Sequence, residues 1–166
     1  TVLKQLAENG EAEGRVIIAN EQTAGKGRMG RSFYSPPNSG AYISILLRPK
    51  LSAADSLLIT TAAAVAVSRA IESVTGRRTA IKWVNDIYCD GKKVCGILTE
   101  ASINFEGGTL SYAVLGIGIN IASPDGGFPN ELKDIATSIY EGKPYSSETR
   151  SKLAASVLDN FYELYG

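Results

Sequence analysis

The chain of 166 residues contains no histidine. That absence excludes a histidine general base, a Ser-His-Asp triad and histidine-ligated zinc. It leaves catalysis by Lys, Arg or Asp available. Cysteine is almost as scarce: Cys89 and Cys95 stand alone, in a C-x5-C spacing that fits no common zinc or redox motif. Reduced, partly buried thiols in a reducing, cytoplasmic compartment are expected. No stretch approaches ~18 consecutive apolar residues, so no membrane span is expected. Neither sign of charge is in surplus, since 17 Lys+Arg balance 17 Asp+Glu. A domain that wraps nucleic acid usually carries a basic excess, so no nucleic-acid binding is expected. Internal repeats and low-complexity blocks are missing as well. What remains is an ordinary globular composition, 44% hydrophobic and 20% charged. The length is that of one domain with a sizeable core.

Hydrophobic patterning predicts the elements. Residues 1–9 read as a short helix with Leu3 and Leu6 on one side. Residues 15–19 and 41–47 read as strands, separated by a Gly/Arg-rich loop and the turn cluster Pro36-Pro37-Asn38-Ser39-Gly40. Ser52 and Asp55 have capping-box spacing ahead of a helix whose face is Leu57, Ala64, Val67, Ile71 and Val74. Gly76 is its expected stop. A meander follows, with strands at 80–84, 87–89, 94–102 and 110–121. Its turns are expected at Asp90-Gly91 and Glu106-Gly107-Gly108. Ser146 or Ser147 can cap a last helix with Leu153, Val157, Phe161 and Leu164 on its face. This order predicts an α+β domain, with helices packed on a mixed, largely antiparallel sheet.

Four segments could carry chemistry. Gly25-Lys26-Gly27-Arg28-Met29-Gly30-Arg31 alternates glycines with cations. Glycine lets backbone approach a ligand closely, and arginine forks suit phosphate or carboxylate. The loop is neither a Walker loop nor a dinucleotide fingerprint; on its own it also reads as a solvated basic loop. Lys82-Trp83-Val84-Asn85-Asp86 lies between strand patterns. Alternation would put Lys82, Val84 and Asp86 on one side and Trp83 and Asn85 on the other. Lys92-Lys93-Val94-Cys95-Gly96 reads, alone, as a solvated lysine pair after a turn. Gly116-Ile117-Gly118-Ile119-Asn120 clears one face of an apolar strand, for a flat ligand or for close packing of a helix. Phe33 and Tyr34 offer rings that could stack on bases, but the zero net charge and the remaining segments give that reading little support.

Taken in order, Gln22 to Arg31, Lys82 to Asp86, Lys93 to Leu98 and Gly116 to Asn120 resemble one known series. It is that of the catalytic domain of biotin protein ligases, also called biotin–[acetyl-CoA-carboxylase] ligases, with patterns G-R-G-R-x-G-R, K-W-P-N-D, K-x-x-G-I-L and G-x-G-I-N. The stretch from Phe128-Pro129 to Ala136-Thr137-Ser138 looks like the segment after the last motif. The resemblance implies a fold related to class II aminoacyl-tRNA synthetases and lipoate ligases. It implies that biotin and ATP are substrates, with Mg2+, and give biotinyl-5′-AMP. It further implies transfer to a lysine of a biotin carboxyl carrier protein. A lipoate or octanoate ligase shares the fold, but the order and spelling of the motifs favour biotin.

The resemblance also assigns roles. Gln22, Gly25, Lys26 and Arg28 border biotin, with Gly96 and Gly116 leaving room for it. Lys93 bridges the biotin carboxylate and the α-phosphate. Arg28, Arg31, Asn85 and Asn120 serve the nucleotide. Arg28 also orders the loop over the adenylate. Asp86 orients the incoming lysine amine and helps deprotonate it, which matters because an ordinary lysine titrates near pH 10.4. Metal ligands stay unassigned, and monomer and homodimer both stay open. Two departures stand out: Lys26 replaces the usual Arg, and Val84 the usual Pro. The resemblance implies that residues 1–166 are a catalytic-domain fragment. It would lack the family's upstream Ser-Thr segment, of which at most Thr1 survives, and its small C-terminal β-barrel domain.

Overall fold

Six runs rich in branched and aromatic residues pair into a single sheet. In this computed structural model the described residues are all but 1, 105, 106, 143 and 144, together with the side chain of 147. Thr1 and Glu106, singled out above, therefore lie outside the described residues. The strands are β1 (Val16–Ala19), β2 (Gly40–Leu47), β3 (Ala80–Lys82), β4 (Asp86–Cys89), β5 (Lys92–Asn104) and β6 (Thr109–Asn120), in spatial order β1-β2-β6-β5-β4-β3. The sequence predicts a mixed, largely antiparallel sheet, and all of these pairings are antiparallel. Parallel contact is confined, among the described residues, to isolated bridges between Lys93 and Ala136 and between Ala122 and Tyr140.

The helices are α1 (Val2–Glu8), α2 (Leu57–Thr75) and α3 (Ser147–Tyr165). The Ser52–Asp55 box forms: the Asp55 N–H donates to Ser52 Oγ at 3.2 Å, and that hydroxyl donates to Asp55 Oδ2 at 2.7 Å. It opens one 3-10 turn, Ala54–Ser56, before α2 begins. Leu57 is consequently displaced from the core face and is 46% exposed. The buried stripe of α2 is Ile59, Thr60, Ala63, Ala64, Ala66, Val67, Ala70 and Ile71. Gly76, at φ 69°, ends the helix with its N–H on the Glu72 carbonyl. By length and composition Ala54–Thr75 would suffice to cross a membrane; here its stripe packs against α3 and β5. Ser146 caps α3, accepting from the Thr149 N–H, and Leu153, Val157 and Phe161 are fully buried.

Strand side chains alternate between faces. Ile43, Ile45 and Leu47 of β2 join Leu115, Ile117 and Ile119 of β6 in the core under α2 and α3. On the opposite face Leu46, Tyr112 and Val114 meet Leu3 and Ala7 of α1. The remainder of that second face carries the glycines.

Two expectations change. The strand expected over 80–84 stops at Lys82, because Lys82 pairs with Asp86 and residues 83–85 become the connection. The expected alternation is lost there: Val84 is buried and Trp83 is 71% exposed. The Asp90-Gly91 turn forms as predicted, both residues having positive φ.

Candidate active site

Register fixes the floor of the site. Gly96 lies opposite Gly118, which lies opposite Tyr42; one step on, Leu98, Gly116 and Ser44 make the next row. Beyond these, Glu100 sits opposite Val114. All of these residues line a cavity of about 410 Å3. Its far walls are Val2 and Leu3 of α1 and residues 21–24, 26–28 and 33 of the connecting loop.

The missing side chains leave three different spaces. A Cβ on Gly116 would meet only the Leu98 carbonyl oxygen, at 3.5 Å, so the floor there is open. A Cβ on Gly118 would lie 2.5 Å from Phe33 Cε1, so that space holds the Phe33 ring. A Cβ on Gly96 would lie 2.9 Å from Phe33 Cε2 and 3.1 Å from Lys93 Nζ. The K-x-x-G spacing thus lets the lysine lie back along its own strand. Its ammonium sits 5.8 Å from the centre of the Phe33 ring.

Lys93 is also tied to the first residue of β4. Its Nζ lies 2.8 Å from Asp86 Oδ1, both side chains being about three-quarters buried. That oxygen is otherwise enclosed, and the Lys93 ammonium is the charge that faces it. The main chain of Lys93 is pinned from outside, its N–H donating to the Ile135 carbonyl and its carbonyl accepting from the Thr137 N–H. Asn85 holds the neighbouring turn in place. Its Nδ2 donates to the Ile97 carbonyl at 3.1 Å, and its Oδ1 accepts from Arg28 Nη1 at 3.0 Å.

The Gly/Arg segment is a narrow ribbon. Phe33 N–H donates to the Gly25 carbonyl and Gly27 N–H to the Arg31 carbonyl, around a Lys26–Ser32 bridge. Met29 and Gly30 take positive φ at its tip. A Cβ on Gly25 would come within 2.4 Å of the Phe33 carbonyl oxygen, so this glycine serves the ribbon's own closure. Gln22 braces the base, its Oε1 accepting from Ser35 Oγ at 2.8 Å. Lys26 Nζ lies 3.8 Å from Glu100.

Of the residues singled out from sequence, Gln22, Lys26, Arg28, Asn85, Lys93, Gly96 and Gly116 line one cavity. Asp86 stands just outside it, joined through Lys93. Gly25 and Arg31 belong to the ribbon, away from the cavity lining. Asn120 is buried, and its amide donates to the Thr137 carbonyl at 3.2 Å. The structure thus gives Asn120 the work of anchoring the segment that buttresses Lys93. Sequence reasoning missed Ser44, Leu98 and Glu100 as lining residues; the register from the glycines, counted outward at period two, carried that signal. Among the described residues no group of three acidic, cysteine or histidine side chains gathers where a metal could sit.

A cavity with a glycine-opened floor and convergent Lys and Arg suits an elongated ligand ending in an anion. Residues 1–120 match the family described as biotin/lipoate A/B protein ligase. The chain is 44% identical over 137 residues to the bifunctional ligase/repressor BirA of Bacillus subtilis, covering 82% of this chain and 42% of that one. It is 39% identical over 114 residues to the biotin–[acetyl-CoA-carboxylase] ligase of Paracoccus denitrificans, covering 67% of this chain and 46% of that one. The biotin protein ligase of Aquifex aeolicus, solved with biotin and ATP, superimposes with a TM-score of 0.75 at 32% identity, over 98% of this chain and 66% of that one. The chain therefore spans less than half the length of the Bacillus and Paracoccus relatives. On the family match over residues 1–120, this chain belongs to the biotin/lipoate A/B protein ligases.

Proposed function

We propose that this chain activates biotin with ATP to biotinyl-5′-AMP and passes the biotinyl group to a lysine of a biotin carboxyl carrier protein. The observation that carries the reading is Lys93. Its ammonium is ion-paired to Asp86 at the glycine-floored cavity, which Arg28 and Asn85 also line. A biotin carboxylate oxygen attacks the α-phosphorus, and pyrophosphate leaves. Lys93 and Arg28 offset the negative charge that two anions bring together. The acceptor amine then attacks the biotinyl carbonyl, AMP leaves, and the proton of the amine passes to Asp86. Ser44 and Gln22, on the floor and wall, offer polar atoms to the ureido ring of biotin, a group that lipoate lacks. Magnesium is proposed as the ion of Mg·ATP, carried on the phosphates. A cytoplasmic location fits the two free, buried cysteines.

Pyrophosphate exchange into ATP tests the reading, run with biotin, lipoate, octanoate and no acid. Exchange with biotin alone is expected; exchange with lipoate alone would move the substrate to the sister ligases. Lys93→Ala should cut biotin-dependent exchange about 100-fold or more while the thermal unfolding stays cooperative. A fall in exchange no larger than the fall in folded protein would remove Lys93 from the chemistry.

A further inference from the structure

Glu100 is a carboxylate on the floor of a cavity suited to an anion. It lies on β5 opposite Val114, at the end of the floor away from Lys93. Burying a charge there is costly unless it is paired. It is paired twice, and its partners come from two different segments. Lys4 Nζ of α1 lies 2.7 Å from Oε1, and Lys26 Nζ of the ribbon lies 3.8 Å from the same atom. The Glu100 side chain is 27% exposed and that of Lys4 is 32% exposed, while Lys26 is 55% exposed, so solvent screens the Lys4 contact in part and the Lys26 contact more. α1 and the ribbon both line the cavity, and Glu100 joins them from the floor between. At the ribbon's tip Arg28 holds Asn85. The ribbon is thus fastened at two places, and Glu100 is the fastening on the α1 side.

We propose that Glu100 is a positioning residue: by holding Lys26 and Lys4 together it keeps the glycine-rich ribbon seated across the cavity and so slows escape of the bound ligand. The fastening itself rests on geometry alone; only the identity of the retained ligand as biotin rests on the function proposed above. A lysine at position 26 suits this role, because its single ammonium can share one oxygen with Lys4 without the paired geometry that an arginine fork demands.

The test is amide hydrogen exchange on the ligand-free chain and on Glu100→Gln, Lys26→Gln, the double variant and Glu100→Asp. Both single variants should raise exchange across residues 20–31 about fivefold, the scale of one partly exposed ion pair. The double variant should add little, as expected of two partners in one contact. Glu100→Asp should restore most of the protection, and residues 57–75 should not change. Unchanged exchange across 20–31 in Glu100→Gln, or a rise spread equally over α2, would overturn the proposal. Biotin dissociation is then timed on the same proteins, with the same fivefold acceleration expected in Glu100→Gln. If the unsubstituted chain takes up no biotin while the exchange pattern holds, the substrate reading falls and the fastening stands. If biotin binds and the ribbon does not respond to Glu100→Gln, the fastening falls and the substrate reading stands.

Discussion

Gly96, Gly116 and Gly118 share one strip of sheet, yet each missing side chain is used differently. Phe33 and the Lys93 stem lie on Gly96, Phe33 alone fills the space over Gly118, and Gly116 stays open. A methyl group at Gly118 would meet the far end of a side chain that can swing away. A methyl group at Gly40 would come within 2.6 Å of the Ile119 carbonyl oxygen, a backbone atom that cannot. Gly40→Ala should therefore lose about 1–3 kcal/mol, the range for overpacking, and Gly118→Ala clearly less. In a Phe33→Ala background the Gly118→Ala cost should largely vanish; urea unfolding of the two single variants and the double measures that coupling. At this scale the sequence was readable where a residue's use follows from its type. Lys93, Arg28 and Gly116 announce themselves as cation, fork and opening. The seat of Phe33 did not, because it depends on a ribbon folding back over strands more than sixty positions further along the chain. For the same reason Lys92-Lys93 read as a solvated pair, although Lys93 is drawn in by Asp86 and covered by Phe33.

The elements owe their positions to α2 and α3. Small residues, Ala63, Ala66 and Ala70, lie in the buried stripe of α2, which brings it close to α3, while Phe161 supplies the bulk on the α3 side. Phe161 is fully buried and stacks on Tyr165, with ring centres 5.4 Å apart. Phe161→Ala should cost about 3–5 kcal/mol. For a chain of this size that is a fall in melting temperature on the order of 10 °C, checked by calorimetry. A loss below about 1 kcal/mol would mean that the site collapses without leaving a cavity. Periodicity made both long helices readable, and the meander of strands as well. Their ends were harder to place. The Ser52 box forms as a hydrogen-bond pattern, yet it opens a 3-10 turn, which shifts Leu57 to the surface. The strand expected through Val84 ends early because the Lys82–Asp86 pairing is set by the partner strand, which local propensity does not reveal.

For the whole molecule the sheet is a partition, with hydrocarbon on one side and the cavity on the other. Packing on both sides desolvates tyrosines. Burial pushes the Tyr42, Tyr112, Tyr162 and Tyr165 hydroxyls above their ordinary value of 10.0, and the carboxylates of Glu8 and Glu13 add to the rise at Tyr112 and at Tyr162 and Tyr165. Raised folded values mean that the unfolded chain gives up these protons first. The stability they confer is whole below about pH 10 and drains away as pH climbs through the folded values. Melting temperatures should fall steeply above pH 10, and Tyr42→Phe should soften that fall; a flat profile to pH 11.5 would contradict it. The same burial governs the thiols. Cys89 and Cys95 are both buried, and burial holds each thiol above its ordinary value, so the folded chain presents almost no thiolate. To a maleimide or an iodoacetamide the native chain is blank. One cysteine placed at Met29, 92% exposed at the tip of the ribbon, would then be the sole handle for a dye. The motion of the ribbon would become visible one molecule at a time.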